Sequence, residues 1–204
     1  KNVRNPLLPD ESRTNHPFLK KAGENEWKID KGTWYVTEPI VIHGDLSIEE
    51  GAEFYFSEKA YLIVLGSIYA NGTASSKIVF APQNKRWKGL YVIGDGRKSS
   101  DLKNVIIRST SGLKHDMLDL TGGVTFYDAN VSMEDVLFET TFAEDALNLV
   151  NTKYLLKNVK FSGTISDAFD SDFSSGKIIA SVFNDIRGDA LDFSGSDCDI
   201  KDVD

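Results

Sequence analysis

The sequence predicts an all-β fold: a single-stranded parallel β-helix, wound as a solenoid of about 22-residue coils behind a short N-terminal cap. Three observations predict it. Asp145-Ala146-Leu147-Asn148, Asp167-Ala168-Phe169-Asp170 and Asp189-Ala190-Leu191-Asp192 recur at a constant 22-residue interval, the signature of stacked structural repeats. Apolar residues alternate with polar ones over short runs, which is the period of strands and not of helices. Phe138, Phe161 and Phe183 recur with nearly the same spacing and are preceded by Asp135-Val136, Asn158-Val159 and Ser181-Val182, so equivalent side chains stack rung upon rung. A β-sandwich also supplies many short strands, but its hairpins carry no fixed sequence period.

From the N-terminus, residues 1–30 read as the cap. Asn5-Pro6, Leu8-Pro9-Asp10 and His16-Pro17 break regular structure, and the stretch from Lys20 to Trp27 has a short helical character. A cap is expected because the first coil of a solenoid otherwise exposes unpaired strand edges. The β-helix then occupies residues 31–204. In its upstream half the pairs Ile40/Ile42, Leu46/Ile48, Phe54/Phe56, Leu62/Val64, Ile68/Ala70, Ile78/Phe80 and Leu90/Val92 mark inward faces, and Gly44-Asp45, Gly51, Gly66 and Asn71-Gly72 mark turns. At the far end the apolar register calls for one more residue just past Asp204, so the chain reads as a piece of a longer solenoid.

The formal net charge of −8 and the lack of a Lys/Arg cluster interleaved with aromatics exclude a nucleic-acid backbone as partner. No apolar run reaches the 18 residues of a membrane-spanning helix, so no membrane insertion is expected. The single cysteine, Cys198, allows no internal disulfide, and the acids Asp197 and Asp199 beside it oppose thiolate formation. His16, His43 and His115 are too scattered for a zinc site. Gly94-Asp95-Gly96-Arg97 is a loop with no helix behind it to cradle a phosphate, and Trp27, Trp34 and Trp87 read as packing residues with sugar stacking as the competing role.

The acid columns are where spacing bears on chemistry. With Leu147, Phe169 and Leu191 inward, strict alternation sends Ala146, Ala168 and Ala190 outward, followed by Asn148, Asp170 and Asp192, with Asp172 a further outward step beside Ser194. Carboxylates one rung apart, about 4.8 Å, repel unless compensated, and Ca²⁺ spans such a gap. Asn148, Asp170, Asp172 and Asp192 are therefore the candidate ligand-binding residues, Asp170 and Asp192 the candidate metal ligands, and the small alanines a shallow groove for a sugar chain. Asp145, Asp167 and Asp189 are expected on the core side at the strand entrances, accepting backbone N–H bonds in turns. Arg187, Lys153 and His115 are the candidate bases for proton abstraction, with His115-Asp116 and Asp119 the best local pair and Tyr127 nearby, but none forms a diagnostic motif.

The run from Leu62 to Thr73, followed by Ile78-Val79-Phe80-Ala81-Pro82 and Trp87-Lys88-Gly89-Leu90, resembles the opening coils of bacterial right-handed parallel β-helix proteins. Thr121-Gly122-Gly123-Val124-Thr125-Phe126-Tyr127, Glu144-Asp145-Ala146-Leu147-Asn148 and the run from Asp189 to Ser196 resemble repeats in exported β-helix regions associated with CotH-like proteins. The resemblance covers about residues 30–204 and implies the fold more than an activity. The function expected is a non-catalytic exported module of a larger surface or envelope protein, binding carbohydrate or Ca²⁺ on its acidic face, at an extracellular, cell-surface or periplasmic location. The alternative is a polysaccharide lyase or epimerase acting on acidic glycans through Arg187 or Lys153. The Asp-Pro-His of mannuronan epimerases, the Asn-Thr-Asp, Asp-Asp and Gly-His-Gly strings of polygalacturonases and a lyase-like Arg-x-Pro-x-x-Arg do not occur. The open last coil is a further expected surface for end-to-end or edge association. The threonines are scattered and form no ice-binding ladder.

Overall fold

The computed structural model describes residues 16–115 and 118–204; Asn5-Pro6, Leu8-Pro9-Asp10 and Asp116 lie outside them. Every regular element among the described residues is a strand, and the strands wind about eight parallel coils. A downstream coil has three sides, for example Lys153–Lys157, Lys160–Thr164 and Asp167–Asp172. The first two sides belong to a 14-stranded sheet, continuous because Ser99–Arg108 and Asn130–Thr141 run through the corner between them. The third sides form a 7-stranded sheet. Downstream the register holds at 22 residues, with Asn148 against Asp170 and Asp170 against Asp192. Upstream it stretches: the Ile68 N–H bonds Ser100 Oγ in the next coil, 32 residues on.

From Asn104 onward, residues with a Cβ in the left-handed region sit at corners of the coils, and these residues stack in files. Asn104, Asp135, Asn158, Ala180 and Asp202 turn one corner, Asp128, Asn151 and Phe173 a second, and Ser109, Thr140 and Asp185 a third, all with φ between 49° and 59°. Asn and Asp tolerate this conformation best among residues with a Cβ, and here they also bond up the file. Asn158 Nδ2 donates to Asp135 Oδ1, and Asn151 Nδ2 to Asp128 Oδ1.

Inside, apolar side chains stack at rung spacing. The rings of Phe138, Phe161 and Phe183 stack 4.8 and 4.9 Å apart and nearly parallel, as their spacing predicts. Phe54 stacks on Phe80 at 5.1 Å, and Phe56 on Trp87 at 4.0 Å. Trp87 is fully buried with its indole N–H on the Arg108 carbonyl, so it is core and offers no face to a sugar. A polar file runs beside the rings: Ser174 Oγ accepts the Thr152 N–H and Ser196 Oγ accepts the Ser174 N–H, each at 2.9 Å.

Two features depart from the sequence expectation. The stretch from Lys20 to Trp27 is not helical: Leu19–Gly23 and Glu26–Ile29 form an antiparallel hairpin, whose second strand pairs in parallel with Asp45–Ile48. That outer pairing gives the backbone ladder bonds that an isolated helical turn would have to close alone. The upstream outer face of the 7-stranded sheet is also apolar. Val41, Ile63 and Tyr91 point away from the main core and are buried with Leu113 of the hairpin Leu113–His115/Leu118–Leu120.

Candidate functional site

The outer face of the 7-stranded sheet changes character along one file. Val41, Ile63 and Tyr91 are followed in register by Thr125, Asn148, Asp170 and Asp192. The apolar end lies under the hairpin, and the acidic end is progressively exposed. Asp172 sits on the same strand as Asp170, half-buried, with Ser194 beside it in the next coil.

The Asp-Ala steps do not follow strict alternation. Ala146 and Leu147 are both fully buried in the main core, as are Ala168 and Phe169, and of the three alanines only Ala190 is exposed. Two consecutive inward residues at a corner turn the preceding Asp back to the outside. The alanines therefore form no external groove, and Asp145, Asp167 and Asp189 are not on the core side. They make a second outward column beside Asn148, Asp170 and Asp192. One carboxylate oxygen each of Asp167, Asp189 and Asp192 lies within 4.8 Å of the others. Asp167 also accepts a turn bond, its Oδ1 taking the Asp189 N–H at 2.7 Å.

Charge is handled differently on the two sheets. On the 14-stranded sheet, files alternate in sign: Glu134 bridges Lys103 and Lys157 at 2.8 and 2.7 Å, and Arg108 pairs with Glu139 at 2.6 Å. On the acidic face, among the described residues, no Lys or Arg forms an ion pair with Asp145, Asp167, Asp170, Asp172, Asp189 or Asp192. Burial first, and then the carboxylates of Asp170, Glu144, Asp167 and Asp172, push Asp145 up to about 7. Burial and Asp172 push Asp170 up to about 6, against the hydrogen bond that Asn148 Nδ2 donates to its Oδ2 at 2.8 Å. Like charges gathered out of water favour the protonated form in this way.

The candidate bases are dispersed. Arg187 is exposed in the turn two residues before Asp189. Lys153 stands on the other sheet, at the rim of a shallow depression shared with Leu155, Lys177 and Asp199. His115 is on the hairpin strand and Tyr127 is half-exposed at the end of Val124–Tyr127. Sequence reasoning missed Thr125, although the flanking pair Val124/Phe126 already places it outward and one rung above Asn148. It is 5% exposed, and its Oγ1 has no hydrogen-bond partner among the described residues.

The fold and this face define a parallel β-solenoid with one acidic side, on which the described residues place no Lys or Arg ion pair. No protein-family model matches the chain, and no curated protein or solved structure matches it either.

Proposed function

We propose that this chain is a non-catalytic β-helix module of an exported bacterial surface or envelope protein, of the kind associated with CotH-like proteins, and that its acidic face binds carbohydrate. One observation carries the reading: two outward columns of carboxylates run in register with no Lys or Arg paired to them among the described residues, while on the other sheet Glu134 bridges Lys103 and Lys157. Carboxylates accept charge-assisted O–H···O⁻ bonds, and a sugar chain presents hydroxyls at repeating intervals that a ladder of rungs can meet. The exposed members Asp189 and Asp192 are the first contacts, with Asp167 behind them.

The test is retention of the protein in gels cast with neutral and acidic polysaccharides, pectate, alginate and hyaluronan included, run with chelator. Retention that is lost in the Asp189→Ala/Asp192→Ala double variant supports the reading. Equal mobility of wild type and variant in every gel defeats it. Unsaturated product absorbing in the ultraviolet from any of the uronates assigns the lyase alternative instead, with Arg187 as the first residue to replace.

A further inference from the structure

Phe173 is the most exposed large apolar side chain among the described residues, at 73%. Its backbone is as unusual as its exposure. It turns the corner after Asp172 with φ 50°, in a file whose other members are Asp128, Asn151 and, in the next coil, Gly195. Asn, Asp and Gly enter the left-handed region readily, whereas a bulky aromatic there is an outlier. Asn151 bonds up the file to Asp128, and a phenyl ring at Phe173 has no group with which to continue that chain. Burial does not offset the strain, because most of the ring is in water. Strained positions of this kind cluster where a side chain meets a ligand.

The neighbourhood defines what such a ligand is. Phe173 directly follows the strand Asp167–Asp172, so it stands at the rim of the acidic face, beside Asp172 and Ser194. Gly195 gives the ring its place: a Cβ there would come within 3.0 Å of Cδ1 and 3.2 Å of Cε1. The ring therefore rests against bare backbone and is held without being covered, which lowers the ordering cost of a contact. Tyr127, 47% exposed, occupies the outward file of Val150 and Asp172, two rungs from Asp172. Two rungs are about 9.6 Å, a span that a short oligosaccharide covers. A pyranose ring has a face of axial C–H bonds, which the negative face of an aromatic ring attracts, and a rim of hydroxyls that donate to carboxylates. A uronate chain fits the aromatic but not its surroundings. Its own carboxylates would meet Asp170, Asp172 and Asp192, and like charges set against each other oppose binding.

We infer that Phe173 is the stacking residue of the glycan-binding face and that the ligand is a neutral polysaccharide. The inference rests on the proposed function and narrows it: the carboxylates take the hydroxyls, and Phe173, with Tyr127 further along the face, takes the apolar side of the sugar.

The experiment compares wild type, Phe173→Asn and Phe173→Tyr in gels cast with glucan, mannan or xylan and in gels cast with pectate, alginate or hyaluronan, all in chelator, with a thermal melt of each protein. Wild type is expected to be retarded by a neutral polysaccharide and not by the uronates. Phe173→Asn places the usual residue of the file in the corner, so it is expected to melt about 2–4 °C above wild type while binding about tenfold more weakly. Phe173→Tyr keeps the ring and is expected to bind as wild type does. Weaker binding by a more stable variant is a result that a purely structural role does not give. Wild-type retention in Phe173→Asn overturns the stacking role and leaves the glycan reading standing. Weaker retention with a lowered Tm assigns Phe173 to the fold and overturns it too. Retardation by the uronates equal to or above that by the neutral gels overturns the ligand class alone. Wild type retarded in no gel defeats the glycan reading itself, and the inference with it.

Discussion

Asp145 shows how one residue's environment differs from what its position in the sequence implies. As the first residue of a strand it reads as a turn acceptor, yet the burial of both Ala146 and Leu147 rotates it outward into the company of Asp167, Asp170 and Asp172. Strict alternation hides this, because a corner of the coil can place two consecutive side chains inside when the first is small. The consequence for stability has a definite sign. The folded-state pKa of about 7 lies above the unfolded value of about 3.8, so the folded protein binds this proton more tightly. In chelator, stability falls as pH rises from about 4 to about 7, and Asp170, raised to about 6, acts in the same direction. Asp145→Asn is expected to melt a few degrees above wild type at pH 8, roughly 1–2 kcal/mol, with the gap closing as pH is lowered toward 4. A gap independent of pH, measured by circular dichroism melts across that range, contradicts the assignment.

At the scale of elements, the downstream strands were legible because their period is constant and their core residues are large. The file of Phe138, Phe161 and Phe183 follows directly from the spacing. Phe161, buried between two parallel rings, is the element most exposed to truncation. Phe161→Ala is expected to cost about 3–5 kcal/mol, read from urea unfolding, whereas Leu155→Ala on the 37%-exposed outer surface changes stability by about 0.5 kcal/mol or less. Near-equal costs would mean the rings do not carry the core. The upstream coils were legible as strands but not as rungs, since loop insertions such as the one carrying Leu113–His115 break the period. That hairpin's role is equally hidden. Its Leu113 covers Val41, Ile63 and Tyr91, and only the fold shows that these outward residues form a second apolar cluster. The corner files explain the recurring Asn and Asp between strands, while Phe173 and Ala180 occupy the same left-handed positions without a side chain suited to them.

At the scale of the molecule, the solenoid converts sequence period into a line of neighbours. Backbone ladders fix every rung against the next, so an outward residue's surroundings are set by the residues one coil away and not by those beside it in sequence. On the 14-stranded sheet this produces alternating ion pairs. On the 7-stranded sheet it gathers acids, and the candidate site is a product of that gathering. The columns were readable from the 22-residue repeat, but the partnerless Thr125 and the outward turn of Asp145 required the path of the backbone through the corners. Both depend on vertical stacking. The most direct measurement is the disulfide formed by Asp170→Cys/Asp192→Cys in a Cys198→Ser background. Registered neighbours in a parallel sheet have Cα atoms close to 4.8 Å apart, within the reach of a disulfide. Stacking predicts quantitative intramolecular oxidation with two thiols lost per monomer, seen by mass spectrometry. Free thiols that persist, or crosslinks that join only separate molecules, would contradict the shared file on which the proposed binding face is built.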